Sequence, residues 1–187
     1  MDISPPDGQG VVRAAVVVMS LPDLAVVEVK SAQGKPGFPY VPGLLSFREA
    51  PLVLEALERL AIMPDFLLAD GQGVAHPRRF GLACHLGLLT GLPTIGCAKS
   101  ILRGKHGPLG QEKGSWALLE DRDDVVGAAL RTRQGVTPVY VSIGHKVGLP
   151  SALRWVLACC ARFRLPEPTR LAHHAAAGRL QEREPER

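Results

Sequence analysis

The sequence lacks the cysteine spacings that mark zinc sites or disulfide-rich domains. Its four cysteines form no CxxC motif, and all lie in apolar segments of strand-like or helical pattern: Cys84, Cys97, Cys159 and Cys160. We therefore expect reduced thiols in the core of a cytoplasmic protein.

Long apolar runs are missing as well. No stretch approaches the ~20 uninterrupted apolar residues of a transmembrane helix, and no signal-peptide pattern stands at the start of the given sequence. No internal repeat is visible. These absences predict a cytoplasmic protein that does not use a membrane as a partner.

Length and charge describe an ordinary globular chain. The 187 residues, 46% hydrophobic and 21% charged, predict one domain over residues 1–180 and a flexible charged tail over residues 181–187. A net charge of +4 is compatible with a polyanionic partner without identifying one. More specific is a set of basic residues expected beside the acidic site described below: Arg78, Arg79, Lys99, Arg103, Lys105, His106 and Lys113.

The hydrophobic pattern predicts an α/β fold. Two β-branched runs, 13–20 and 24–30, predict a hairpin, because Leu21-Pro22-Asp23 separates them. Further strands are predicted at 66–70, 94–98, 115–120, 125–131 and 139–143, and helices at 47–62, 79–90, 150–163 and 168–180. Pro51 is expected in the first helical turn, where proline is tolerated. A meander followed by alternating strands and helices predicts a mixed β-sheet flanked by helices.

The run Phe38–Glu49 is the most informative segment. It holds Tyr40 between two prolines, Pro39 and Pro42, and proline stiffens a loop by fixing φ. Such a tip is poorly suited to filling a core and well suited to forming a wedge. A carboxylate, Glu49, follows at the start of a helical pattern.

A second carboxylate ends a buried strand. The run Phe66–Gly73 is apolar up to Asp70 and then turns through glycines. An aspartate at a strand end is most often a turn or helix cap. Carboxylates that converge from different elements are also the hard oxygen ligands that Mg²⁺ requires. Together with the wedge, they suggest an enzyme that opens a nucleic acid and cuts it with a metal.

Five segments of the chain resemble the endonuclease V family, and they occur in that family's order: Met1–Ser4, Pro39–Glu49, Asp70–Gly81, Gly96–Ser100 and Val141–His145. The resemblance covers most of the chain. It implies a ribonuclease H-like fold with a central mixed sheet flanked by helices. It also implies a DNA repair endonuclease that uses Mg²⁺, with Mn²⁺ as a substitute, and hydrolyses the second phosphodiester 3′ to deoxyinosine, leaving 3′-hydroxyl and 5′-phosphate ends.

The resemblance also implies catalytic roles. Asp2, Asp70 and Glu49 become metal ligands, with Glu49 bound directly or through water. Lys99 is expected beside the scissile phosphate, where it would offset developing negative charge. His145 is expected to orient or deprotonate the attacking water. A solvated lysine and a satisfied surface or core histidine are the plainer alternatives.

Substrate contacts follow in the same way. Tyr40, with Pro42 and Leu45, is expected to fill the gap left by a flipped-out nucleotide. The backbone of Gly71, Gln72 and Gly73 is expected to wall the base pocket, or else to form only a tight turn. Three further residues, His76, Arg78 and Arg79, are expected to position backbone phosphates.

The given sequence begins one residue before Asp2, whereas the matching aspartate of the family lies inside the first strand. We expect a shortened first strand and a weakened metal site, as from a start assigned at an internal GTG codon. Alternatives are an inosine-specific endoribonuclease, a non-catalytic inosine-binding module, and a ribonuclease H-like resolvase or transposase core, which leaves the wedge unexplained. The expected partners are inosine-containing DNA, with RNA as the variant, and the expected state is a monomer.

Overall fold

The computed structural model describes residues 1–185. Its elements in chain order are β1 (Asp2–Ile3), β2 (Val12–Met19), β3 (Val26–Gly34), α1 (Leu45–Glu58), β4 (Leu67–Ala69), α2 (Leu82–Thr90), β5 (Thr94–Ala98), β6 (Trp116–Asp121), β7 (Asp124–Leu130), β8 (Val139–His145), α3 (Leu149–Ala158) and α4 (Glu167–Ala176). They divide into two compact units. The first unit comprises Met1–Asp65 and the residues from Pro168 onward, and the second comprises Phe66–Glu167.

The first unit has a three-stranded antiparallel sheet of order β1-β2-β3. The predicted hairpin is confirmed, since β2 and β3 pair along their lengths. Helix α1 packs against both strands through an apolar face that includes Ala50, Val53 and Leu57. Pro51 lies inside this helix rather than in its first turn, because the helix begins at Leu45. Its missing N–H therefore removes one intrahelical hydrogen bond.

Small residues let α4 lie close to the first sheet. Its alanines Ala172, Ala175 and Ala176 recur at helical spacing and pack on buried residues of β2 and β3, including Ala15 and Val29. Alanine loses little side-chain entropy on burial, and its short side chain allows a close approach. This packing brings the polar residues of α4 beside the start of the chain.

The segment after α4 runs along β3. Val29 and Arg183 form an antiparallel bridge. Glu182 accepts hydrogen bonds from the backbone and hydroxyl of Ser31, while Glu184 pairs with Lys30. The flexible tail was predicted from residue 181, so these contacts were not expected. Residues 186 and 187 lie outside the described part of the chain.

The second unit has a five-stranded sheet of order β4-β5-β8-β7-β6. Strands β4 and β5 are parallel and the other pairs are antiparallel, so the sheet is mixed. Helix α2 packs on β5 and β8, and α3 packs on β8 and β7. The predicted α/β class, with a mixed sheet flanked by helices, is confirmed. Gly91 ends α2 in the left-handed conformation, with φ at 71°.

The thiols are unpaired and buried, as predicted from the absence of a CxxC motif. Burial raises the pKa of Cys159 to about 11 and, with its neighbour's charge, that of Cys160 to about 12. Both therefore stay protonated near neutral pH and pack as small apolar groups. Among the helices of residues 1–185, none has the length and apolarity needed to cross a bilayer.

Candidate active site

Asp70 and Lys99 meet at one edge of the second unit's sheet. Because β4 and β5 are parallel and pair Ala69 with Gly96, the residues that follow them leave the sheet at the same end. Lys99 Nζ donates to Asp70 Oδ2 at 2.5 Å. The Asp70 side chain is 11% exposed and that of Lys99 is 43% exposed. A recessed carboxylate can bind a metal ion, and the more exposed ammonium beside it can pair with a phosphate oxygen.

Glycines allow the backbone of the turn after Asp70 to pack directly against the backbone of the sheet. A Cβ on Gly73 would lie 2.0 Å from the Ile143 carbonyl oxygen, and one on Gly96 would lie 2.4 Å from the Gly73 nitrogen. The Gly73 N–H donates to Ser142 Oγ at 2.8 Å. No larger residue fits either position without a backbone shift. Glycine is thus required at both positions for the turn to pack in this way, and the role of the turn as a pocket wall stays a prediction.

Gln72 connects this turn to the segment that follows Lys99. Its Nε2 donates to the Ser100 carbonyl oxygen at 3.1 Å. Its Oε1 is buried and accepts no hydrogen bond from any residue between 1 and 185. A buried acceptor without a donor is costly, and it is suited to an N–H group that arrives with a ligand.

His76 and the arginines that follow it have different environments. His76 is buried, and its Nδ1 accepts the Arg78 backbone N–H at 3.2 Å. Burial, and secondarily the charge of Arg78, lowers the pKa of His76. The imidazole is therefore neutral at pH 7, with Nε2 as its donor. As a phosphate contact, His76 would act by hydrogen bonding and not by charge.

Arg79 is paired with acidic residues and is not a free phosphate anchor. Its guanidinium donates to Asp121 Oδ2 at 2.9 Å and to Asp124 Oδ2 at 3.1 Å, and Arg103 also lies 3.9 Å from Asp121. The hydrogen bond from Arg79 holds the pKa of Asp121 below its ordinary value. The predicted basic cluster is thus partly neutralised at Arg79 and Arg103. A single sequence could not reveal these pairs, because the acids come from the distant β6–β7 hairpin.

The structure does not bring His145 to Asp70 and Lys99. Strands β5 and β8 are antiparallel, and His145 pairs with Thr94 at the beginning of β5, whereas Lys99 follows its end. Five residues of strand separate these positions by about 16 Å along the sheet. A Cβ on Gly87 would lie 2.3 Å from the His145 Cβ, so His145 packs tightly over α2.

The wedge loop of the first unit has the geometry that its prolines predict. The Leu44 N–H donates to the Val41 carbonyl oxygen at 2.9 Å, and Gly43 has φ at 77°. With Pro42 at the second position, these are the features of a type II turn. Tyr40, just before the turn, is 68% exposed. The predicted exposed aromatic on a stiff tip is confirmed.

Further contacts support the wedge loop and its exposed apolar surface. The rings of Phe38 and Phe47 lie 5.9 Å apart, and Arg48 donates to the Phe38 carbonyl oxygen at 3.3 Å. Leu45, at the first position of α1, is 41% exposed. Pro42 is exposed as well. Tyr40, Pro42 and Leu45 therefore all present surface that a base could contact.

Asp2 has a partner that the sequence did not indicate. His173 Nδ1 lies 2.8 Å from Asp2 Oδ2, and the Ile3 N–H donates to Asp2 Oδ1 at 2.8 Å. Both carboxylate oxygens are thus held, on strand β1, by groups of the first unit. His173 was missed because 171 residues separate the two positions. The sequence signal that could have indicated this contact was the pair His173 and His174, which lies beside the alanine face of the helix predicted at 168–180.

The predicted metal ligands are divided between the units. Asp2 and Glu49, on β1 and α1, belong to the first unit, and Asp70 belongs to the second. Within residues 1–185, no three His, Cys, Asp or Glu side chains form a ready-made metal cluster. As a donor set, three carboxylates fit a hard cation such as Mg²⁺. The ligand assignment stays a prediction.

The mixed α/β fold and the acid–lysine pair fit a metal-dependent nuclease, and the comparison with known proteins identifies the family. The endonuclease V family model matches residues 1–174. The endonuclease V of Roseiflexus castenholzii is 58% identical over 168 residues, which are 89% of this chain and 76% of that protein. The crystal structure of the Streptomyces avermitilis endonuclease V matches with a TM-score of 0.92 and 50% identity, over 95% of this chain and 78% of that one.

A third match contains nucleic acid. The structure of Ciona intestinalis endonuclease V (D234N) in complex with DNA containing an inosine followed by a ribo-adenosine has a TM-score of 0.80 and 26% identity. It covers 95% of this chain and 83% of that one. The present chain belongs to the endonuclease V family. It is accordingly a metal-dependent deoxyribonuclease, as the sequence predicted.

Proposed function

We propose that this protein recognises deoxyinosine in DNA and hydrolyses the second phosphodiester on its 3′ side, leaving 3′-hydroxyl and 5′-phosphate ends. The observation that carries the proposal is the similarity over 95% of the chain to a Ciona endonuclease V bound to inosine-containing DNA. The exposed Tyr40 tip and the Asp70–Lys99 pair supply the two functions needed, base extrusion and phosphate chemistry.

The chain's own groups divide the work. Tyr40 would stack in the gap left by the extruded base. The unpartnered Oε1 of Gln72 would accept a base N–H, and the backbone of Gly71 and Gly73 would contact the base closely. Lys99 would offset the charge that develops on the phosphoryl oxygens.

Asp2, Glu49 and Asp70 would hold Mg²⁺, with Mn²⁺ as a substitute. The ion would polarise the phosphoryl oxygen and lower the pKa of a bound water. His173 would fix the orientation of the Asp2 carboxylate through the 2.8 Å hydrogen bond. Such contacts to a metal-binding carboxylate affect metal affinity without touching the metal.

Cleavage of matched duplexes tests this function. One strand carries inosine or adenine at the same position, and the reaction is run with Mg²⁺, with Mn²⁺ and with chelator. We expect metal-dependent cleavage of the inosine strand alone, and end labelling should place the break at the second phosphodiester. Equal cleavage of both strands would contradict inosine recognition, and binding without cleavage in either metal would favour the non-catalytic alternative.

An inosine-specific endoribonuclease is the second candidate. It is favoured by the Ciona complex, whose DNA has a ribo-adenosine after the inosine. A 2′-hydroxyl is read by local contacts, so the two activities can be separated by substrate alone. The same inosine strand should be compared with deoxyribose or ribose at the next position. Faster cleavage of the ribose strand would assign the RNA activity.

Tyr40→Ala should lower affinity for inosine DNA by roughly ten- to a hundredfold. Stacking on one base is worth about 1–3 kcal/mol, and binding to unmodified DNA has no gap to fill. Fluorescence anisotropy on both duplexes measures the difference. Tyr40→Phe keeps the ring and should bind as wild type does. A fall in melting temperature of about 10 °C or more for Tyr40→Ala would instead identify a packed core residue.

His173→Ala should raise the metal concentration needed for half-maximal cleavage by about 10–100-fold. His174→Ala, on the same helix, is the matched control. The measurement is the initial rate over a Mg²⁺ titration. His145→Ala should leave the metal dependence unchanged, because His145 lies at the other end of β5 from Lys99. If His145→Ala instead abolishes turnover and His173→Ala does not, the sequence assignment of His145 stands.

Three further assignments belong to this proposal. The ribonuclease H-like fold is supported by the mixed sheet of the second unit and its flanking helices. A cytoplasmic location is supported by the buried, unpaired thiols, which are typical of reducing compartments. The monomeric state stays a prediction that sedimentation equilibrium would test.

A further inference from the structure

The segment that carries Lys99 is not held by the sheet. Strand β5 ends at Ala98, so the carbonyl groups of Lys99 and Ser100 lie beyond its ladder. A flexible side chain with four methylene groups amplifies any rotation of the backbone that carries it. The position of the Lys99 ammonium therefore depends on what fixes these two peptide units.

One arginine from a distant part of the second unit supplies such a contact. Arg164 Nη2 donates to the Lys99 carbonyl oxygen at 2.6 Å and to the Pro138 carbonyl oxygen at 2.8 Å. Pro138 immediately precedes β8, the antiparallel neighbour of β5. The guanidinium thus ties the end of β5 to the beginning of β8, at the edge where Lys99 leaves the sheet.

The backbone of Arg164 and the residue after Lys99 are held by further hydrogen bonds. The Arg164 carbonyl oxygen accepts from Thr132 Oγ1 at 2.6 Å, and Thr132 is buried. On the following residue, Gln72 Nε2 donates to the Ser100 carbonyl oxygen at 3.1 Å. The two carbonyl groups after β5 are therefore held by two separate contacts, one from Arg164 and the other from Gln72 in the turn that follows Asp70.

We propose that Arg164 is a positioning residue that acts through Lys99. It holds the Lys99 peptide so that the ammonium lies against Asp70 and faces the phosphate, and it contacts neither substrate nor metal itself. The inference rests on the proposed catalytic role of Lys99. Charged donors to carbonyl oxygens form stronger hydrogen bonds than neutral donors, so a neutral residue of similar length does not replace it.

The test is Arg164→Met, with Arg162→Met as the matched control. Arg162 is an exposed arginine two residues away, so its loss removes the same charge. We expect Arg164→Met to lower kcat on inosine DNA by roughly ten- to a hundredfold, the scale of a misplacement of about 1 Å. KM should change less than threefold or so. Arg162→Met should leave both constants near the wild-type values.

A double-mutant comparison separates positioning from a general loss of structure. In a Lys99→Ala background, measured in single turnover with excess enzyme, Arg164→Met should have an effect of less than about twofold, because the residue it acts through is gone. An effect as large as in the wild-type background would overturn the proposal. If Arg164→Met fails to fold, Arg164→Lys, whose donor is on a shorter side chain, replaces it in the same comparison.

The outcomes also separate this inference from the proposed function. If Lys99→Ala leaves kcat unchanged, the catalytic role of Lys99 fails. If Lys99→Ala lowers kcat while Arg164→Met behaves as Arg162→Met does, only the role of Arg164 is wrong.

Discussion

Asp70→Asn is expected to lower cleavage of inosine DNA to below one tenth of the wild-type rate in saturating Mg²⁺, and Asp70→Ala should abolish it. Either change removes a predicted metal ligand, and the asparagine variant keeps the shape of the side chain. The carboxylate is recessed at 11% exposure and already accepts the Lys99 ammonium. Its loss therefore changes the charge of the site without removing a large packed group.

Binding should respond in the opposite direction. Asp70 presents negative charge toward a phosphate, so its neutralisation should leave affinity for inosine DNA unchanged or increase it. Initial rates and equilibrium binding must be measured on the same duplex. Asp65→Asn removes an exposed carboxylate that precedes β4 and should be silent in both. Turnover of Asp70→Asn above a tenth of wild type would contradict the assignment.

Lys99→Ala should lower kcat by roughly 10²–10³-fold with little change in KM. A preorganised charge aimed at the transition state has an effect of this size on the chemical step. Hydrogen bonding to Asp70 Oδ2 and to Arg164, through the backbone, keeps the ammonium in one place. Lys146→Ala is the control, since Lys146 is an exposed lysine of the same unit that lies outside the basic set expected beside Asp70.

Salt dependence distinguishes the alternative role. A lysine that only anchors a phosphate contributes close to one unit to the slope of log K against log salt. If Lys99→Ala raises KM, reduces that slope by about one and leaves kcat intact, Lys99 is an anchor. The affinity titration at several salt concentrations and the rate measurement together decide between the two roles.

Local sequence signals predicted most elements because they depend on neighbours in the chain. The β-branched and apolar run Thr94–Ala98 was predicted with the bounds that β5 has, and the helix predicted to end at residue 90 ends at Thr90. Pro39 and Pro42 predicted a stiff tip, and Tyr40 between them is exposed. Each feature follows from backbone preferences over a few residues.

The structure changed the interpretation of Pro51 and Arg79. The helix of Pro51 begins at Leu45, two residues earlier than its pattern indicated, and Leu45 is 41% exposed at that first position. Arg79 was expected to face phosphate, but Asp121 and Asp124 neutralise it. A charge pattern along the chain gives no information about which opposite charges a distant hairpin will supply.

The sequence by itself determined the family, the α/β class, the exposed Tyr40 tip and the choice of Asp70 and Lys99 as candidate site residues. These follow from sequence motifs and from local backbone preferences. Only the tertiary structure decided that His145 lies at the opposite end of β5, that His173 holds Asp2, and that Arg164 holds the Lys99 peptide. The physical reason is that strand register and helix docking are set by packing among residues far apart in the chain. Side chains separated by 171 positions become neighbours through contacts that no local pattern records.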